Sequence, residues 1–197
     1  MKKKIAVGAT LLITLICAVV IYLGLTQNSL LSKETPESES TRELGTATEE
    51  SNGIIEYEPS TEPIAFQEGQ EEKVRDILKE QHDNLNTLAG WGAVERIDHT
   101  RLVEKEQWRQ LKEDVEWLSQ HGLAPSEAIN DMKNAKVLME VSEEHEDEMS
   151  VRYLHRIFHD LDARVNETKV DKIWGVTYAY GSEDEIDKVY TYISDYK

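Results

Sequence analysis

Hydrophobic and polar positions divide this chain into three stretches of different character. From Ile5 to Leu25 no residue is charged, and only Thr10 and Thr14 interrupt apolar or small side chains. At ~1.5 Å rise per residue, a helix of that length spans the ~30 Å hydrocarbon core of a bilayer. From 27 to 65 the pattern inverts. Glu, Ser and Thr dominate, Pro36 and Pro59 interrupt, and apolar residues are too sparse to offset the entropy of ordering the chain. Only Gly53–Tyr57 has the composition of a short strand.

Beyond residue 65 apolar positions recur at helical spacing. Val74, Ile77, Leu78, Leu85 and Leu88 predict a helix over about 70–88, stopped by Gly90. Trp108, Leu111, Val115 and Leu118 predict a second over 104–120, ending at Gly122. Pro125 and Ser126 open a third, with Ala128, Met132, Ala135 and Met139 as its stripe. The acidic run Glu143–Glu148 reads as an inter-helix segment, and the fourth helix extends from it to Val165 on Leu154, Ile157, Phe158 and Leu161. Ser182 with Glu185 three residues on has the form of a capping box for a last helix burying Ile186, Val189, Tyr190 and Ile193.

Between the last two helices, residues 173–180 (IWGVTYAY) alternate and are rich in β-branched and aromatic residues, the signature of a strand. A strand needs a partner for its backbone groups, and residues 91–97 (WGAVERI), which also open on Trp-Gly, are the best candidate. The predicted class is mainly α: an N-terminal transmembrane helix (1–26 with its lysines), a disordered acidic tether (27–65), and a compact bundle of about five helices with a small two-stranded β element (66–197).

Charge fixes the orientation. Lys2, Lys3 and Lys4 precede the apolar stretch, which predicts a cytoplasmic N-terminus, residues 5–25 in the lipid bilayer, and an extracytoplasmic C-terminal domain on a single-pass cell-membrane protein. A cleaved signal peptide has a shorter apolar core and a small-x-small exit, whereas this stretch leaves through Tyr22-Leu-Gly-Leu-Thr-Gln. A lipoprotein needs a small residue before its cysteine, and Ile16 precedes Cys17. Cys17 is also the only cysteine, so the exported part carries neither a disulfide nor thiolate chemistry. Net charge is −17, and residues 66–197 hold 30 acidic against 17 basic side chains. That balance argues against nucleic acid and anionic polymers, which demand a basic patch.

Candidate chemistry centres on His155, His159 and Asp162. Spacings of four and three bring them to one helical face, ~80–140° from the apolar stripe. Two imidazoles one turn apart and a carboxylate one turn on are a plausible Zn2+ ligand set. A hydrolytic zinc helix, however, places glutamate directly after the first histidine, where this chain has Arg156; two boundary histidines hydrogen-bonded to neighbouring acids account for the same pattern. Asp160 and Asp162 fail as a calcium loop, because Arg164 and Val165 stand where an oxygen ligand and glycine are required. No nucleophile elbow or phosphate loop occurs, so no motif names an enzyme reaction. Trp117 lies ~140° from the centre of its helix's apolar face, which marks it as second-layer packing or as an interaction residue. Trp91, Trp174, Tyr178 and Tyr180 read as residues that close a core.

Residues Ile77–His82 with Trp91–Glu95, and His155–Asp162 with Trp174–Thr177, resemble segments of small membrane-anchored proteins of unknown function from Bacillus-type Gram-positive bacteria. The resemblance implies a bacterial host, one N-terminal anchor and an extracytoplasmic domain, and it supplies no catalytic residues. The leading expectation is a protein-interaction module at the cell surface with a protein partner outside the membrane; the alternative is a metal-binding or metal-sensing domain using His155, His159 and Asp162.

Overall fold

The computed structural model describes residues 55–197. The expected anchor and the tether up to residue 54 lie outside the described residues, and among those described no helix is long and apolar enough to cross a membrane. The described part is mainly helical: α1 (Glu71–Ala89), α2 (His99–Leu102), α3 (Glu106–Trp117), α4 (Glu127–His145), α5 (Glu148–Val165) and α6 (Glu183–Ser194).

The apolar stripes explain the packing. Leu154, Ile157, Phe158 and Leu161 of α5 are at most 1 % exposed, and this helix packs chiefly between α1 and α4. Asp147 opens it, its carboxylate accepting from the Ser150 N–H at 2.8 Å and so satisfying one of the unpaired donors of the first turn. Ser182, by contrast, makes no side-chain cap bond; α6 begins where expected but without the capping box. On α4 the buried set is mixed, with Asn130, Asp131, Asn134 and Ser142 beside Met132, Ala135 and Leu138, because α2, α3, α5 and α6 all pack against it.

Several boundaries differ from expectation. Helix α3 stops at Trp117 and continues as one π-helical turn, Leu118–Gly122. A Cβ at Gly122 would fall 2.7 Å from Trp117 Cζ3 and 3.0 Å from Val74 Cγ2, so the close approach of this turn to α1 requires glycine. The acidic run is absorbed by helix ends, leaving only Glu146 and Asp147 between α4 and α5. Within it, Glu143 accepts from Trp108 Nε1 at 2.7 Å and from Lys112 Nζ at 2.8 Å.

The two-stranded element does not form. Residues 90–92 and 94–96 are turns of 3-10 helix, and 173–180 has no regular structure. Among the described residues the single β-type pairing is an isolated bridge between Phe66 and Leu123. The donors of 173–180 find side chains instead. Asp160 on α5 accepts from the N–H groups of Trp174 (3.0 Å) and Gly175 (2.6 Å), and Asp131 on α4 from those of Tyr178 (2.6 Å) and Ala179 (3.1 Å). Both carboxylates are fully buried. Burial raises the Asp131 pKa, and the two N–H donors oppose that by favouring the ionised form.

Residues 55–65, grouped with the tether by composition, form an extended strap along α4. Tyr57 Oη donates to Asn134 Oδ1 at 2.7 Å, and Glu58 exchanges two 2.8 Å bonds with the Asn130 amide. Further on, Glu127 N–H donates to Glu62 O, Ala128 N–H to Pro63 O and Ala124 N–H to Ala65 O. Residue numbers rise along the strap as they fall along α4, so the two run antiparallel.

Candidate functional site

A cleft of about 640 Å3 opens between α1, α5 and the segment after α5, lined among others by His82, His155, His159, Asp162, Lys172 and Trp174. Of the residues expected from sequence, His155 and His159 line it together. Asp162 reaches it differently from the expected metal set. Its side chain is 1 % exposed and accepts from His82 Nδ1 at 2.7 Å and from Asn166 Nδ2 at 2.7 Å. Burial raises the Asp162 pKa, but those hydrogen bonds outweigh it and hold the carboxyl below its ordinary value. It is therefore an ionised partner standing behind a histidine, with each oxygen already accepting one hydrogen bond.

The residue that joins the pair is His82. It lies on α1 four residues after Leu78 and three before Leu85, on the apolar stripe, and is 6 % exposed. Its ring centroid is 5.0 Å from that of His159 and 5.9 Å from that of His155; His155 and His159 are 6.0 Å apart. The sequence signal was a polar residue in the middle of an apolar stripe, which becomes informative only once α1 is known to face α5.

Each ring has one nitrogen engaged. His82 Nδ1 donates to Asp162, and His159 Nδ1 donates to Asp160 Oδ1 at 2.9 Å. His155 Nε2 meets the Asn86 side-chain oxygen at 2.9 Å. These partners fix the tautomers: His82 and His159 keep a lone pair on Nε2, and His155 keeps one on Nδ1. Burial, with His82, His159 and Arg156 close by, lowers the His155 pKa from 6.5 to about 4, so that ring is neutral near pH 7. Asp160 couples this site to the segment after α5, since it also holds the Trp174 and Gly175 N–H groups. Among the described residues no group of three or more His, Cys, Asp or Glu has its ligating atoms gathered as a metal ion requires.

Trp117 lies elsewhere, half-buried against the core with Lys73 Nζ 3.8 Å from its ring centre. It packs on Gly122 and borders a shallow depression with Lys112, Glu113, Glu116, Gln120 and His121. Trp174 and Tyr180 pack partly buried against the core, and Tyr178 stacks on Tyr57 with centroids 4.8 Å apart. Comparison with family models, with curated proteins and with solved structures finds no match to this chain.

Proposed function

We propose that this chain is a membrane-tethered, extracytoplasmic metal-binding domain that takes a borderline-soft divalent ion such as Zn2+ on His82, His155 and His159. The observation that carries the reading is the spacing of the three rings. Imidazoles bound to one tetrahedral Zn2+ at about 2.0–2.1 Å have centroids roughly 5 Å apart. The separation between His82 and His159 meets that value, the two others exceed it by an ångström or less, and the ligating nitrogens come together only once the rings turn. Asp162 and Asp160 stand behind His82 and His159 as carboxylates do behind zinc-bound histidines, setting the tautomer and raising ligand basicity. His155, held by a surface amide rather than a buried carboxylate, is the ring that turns to complete the set. Three protein ligands leave a fourth position open. The uncharged stretch 5–25 behind three lysines supports the location.

Zn2+ titrated into the full chain in neutral-detergent micelles should bind near stoichiometrically and raise the melting temperature by mass action. His82→Ala is the decisive variant, because the set expected from sequence omits it; it should lose binding as fully as His159→Ala. Asp162→Asn, which removes only the partner of a ligand, should weaken affinity by roughly 10–100-fold. Zinc affinity unchanged in His82→Ala would overturn the reading.

A protein partner is a second reading, and it rests on a different surface. Tyr190 is 46 % exposed and its ring lies 6.0 Å from that of Tyr57, which in turn stacks on Tyr178. An exposed tyrosine beside two half-buried ones resembles an interface anchor. Tyr190→Ala should release a partner co-purified from the native membrane without disturbing zinc uptake; retention of the partner would exclude this surface.

A further inference from the structure

Four partly buried rings of this acidic protein carry its own cations. Among the described residues Lys73 Nζ lies 3.8 Å from the ring centre of Trp117, and Lys172 Nζ lies 4.0 Å from that of Trp174. The Arg156 guanidinium lies 4.3 Å from Trp174 and 5.4 Å from Tyr153, and that of Arg75 lies 5.7 Å from Phe66. The face of an aromatic ring is negative, so each contact is attractive. Tyr192 and Tyr196 continue the stack begun by Tyr153, and Tyr180 packs partly buried against the core. Tyr57, Tyr178 and Tyr190 differ. Their rings adjoin, Tyr190 is exposed, and among the described residues no cation lies over any of the three.

The charges around these rings are negative. Asp187 and Glu183 lie three and seven residues before Tyr190, on the same exposed face of α6. Glu56 and Glu58 flank Tyr57, and both are exposed. Burial and the charges of Asp131 and Asp187 raise the Tyr178 pKa, so Asp187 stands within electrostatic reach of that ring. The strap, α4 and α6 hold no arginine, and each of their lysines is engaged: Lys133 with Glu58 at 3.3 Å, Lys136 with Glu116 at 3.5 Å and Lys188 with Glu185 at 2.6 Å. Acids without an ion pair are common on this protein. The uncovered rings, and not the carboxylates alone, mark this surface.

We propose that the surface formed by the strap and α6 receives a cationic segment of a protein partner, with a lysine or arginine side chain laid on Tyr190 and its charge directed to Asp187 and Glu183. The inference rests on the partner reading above and names the chemistry of what Tyr190 binds. Arginine fits better than lysine, because its planar guanidinium stacks on a ring while its N–H groups still reach carboxylates. A choline headgroup also prefers aromatic rings, but it carries a phosphate that these acids repel.

Isothermal titration of the full chain in neutral-detergent micelles tests this, with a capped peptide of alternating arginine and glycine and a control in which glutamine replaces arginine. The arginine peptide should bind, more weakly as salt rises, and the control should not. Tyr190→Ala should weaken binding about tenfold, whereas Tyr190→Phe, which keeps the ring, should stay within about twofold of wild type. An acidic protein attracts any polycation, so the carboxylates are tested against a matched pair. Glu183→Gln with Asp187→Asn should cost about tenfold. Glu72→Gln with Asp76→Asn removes the same charge from exposed positions on α1 and should cost less than about twofold. Equal losses in the two pairs, or Tyr190→Ala binding like wild type, would show only the field of the whole protein and overturn the inference. Choline phosphate bound in place of the peptide would assign a lipid headgroup and overturn it equally. No peptide binding overturns the cationic chemistry and leaves a partner of another kind on Tyr190; a native partner retained by Tyr190→Ala overturns both.

Discussion

Two segments without regular structure, the strap at 55–65 and the stretch at 173–180, solve one problem with different chemistry. Each carries backbone groups with no ladder to join, and each borrows side chains from α4 or α5. The strap uses the amides of Asn130 and Asn134, with the Glu127 carboxylate accepting from Ser60 N–H at 3.2 Å. The later stretch uses Asp131 and Asp160, both fully buried. Each of these carboxyl groups holds two N–H groups at once, so losing one inside the protein leaves two donors unpaired and costs more than losing a single bond. The comparison teaches that the stronger fastening is where the candidate site is, since Asp160 holds both the segment and His159.

The sharpest way to break the contrast is Asp160→Ala. It leaves the N–H groups of Trp174 and Gly175 and the His159 ring unpaired, and should cost about 3–5 kcal/mol. That matches Phe158→Ala, a core truncation expected to cost about 3–5 kcal/mol, and denaturant midpoints measure both. Asp131→Ala releases two N–H groups without touching the histidines. A loss of about 2–3 kcal/mol is expected, with zinc affinity of the folded protein preserved. Equal losses of zinc binding in the two variants would show that Asp160 has no special link to the site.

Acid sharpens the comparison from another side. The folded-state pKa of His155 is depressed from 6.5 to about 4. Between those values the unfolded chain binds the extra proton, so stability is fully present above pH 6.5 and is lost as pH falls towards 4. For metal-free protein this amounts to about 1–2 kcal/mol, less than the full shift because the ring is part-exposed. Melting curves across that window should show the decline, and His155→Asn should flatten it. Hydrogen exchange should place the acid-induced loosening at 155–176 and leave the strap unchanged. The smallest effect belongs to the strap: Tyr57→Phe removes one hydrogen bond to Asn134 and should cost about 1 kcal/mol, without altering zinc binding.

These same segments mark what was legible in the sequence. All five long helices announced themselves, because stripes such as Leu154, Ile157, Phe158 and Leu161 report burial directly through period. Residues 173–180 carry a strand's composition, yet Asp160 and Asp131 fall elsewhere in the chain and no local pattern ties them to it. The strap was set aside as polar, but its fastening lies in amides and carbonyls that hydropathy does not weigh. The site was half visible. His155 and His159 follow from helical spacing, whereas His82 joins them only across the contact between α1 and α5, where Asp162 accepts from its Nδ1.

The strap's antiparallel course along α4 also governs how the domain bears load. A pull on Ile55 away from the helix surface does not strain all its attachments at once. It meets them in succession: the contact of Lys133 with the Glu56 carbonyl, then Tyr57 on Asn134, then Glu58 on Asn130, and only afterwards the backbone bonds at Glu62, Pro63 and Ala65. Fastenings arranged this way unzip one by one under low force. Tension applied at that end would therefore lengthen the strap before it reached α1 and the histidine cleft.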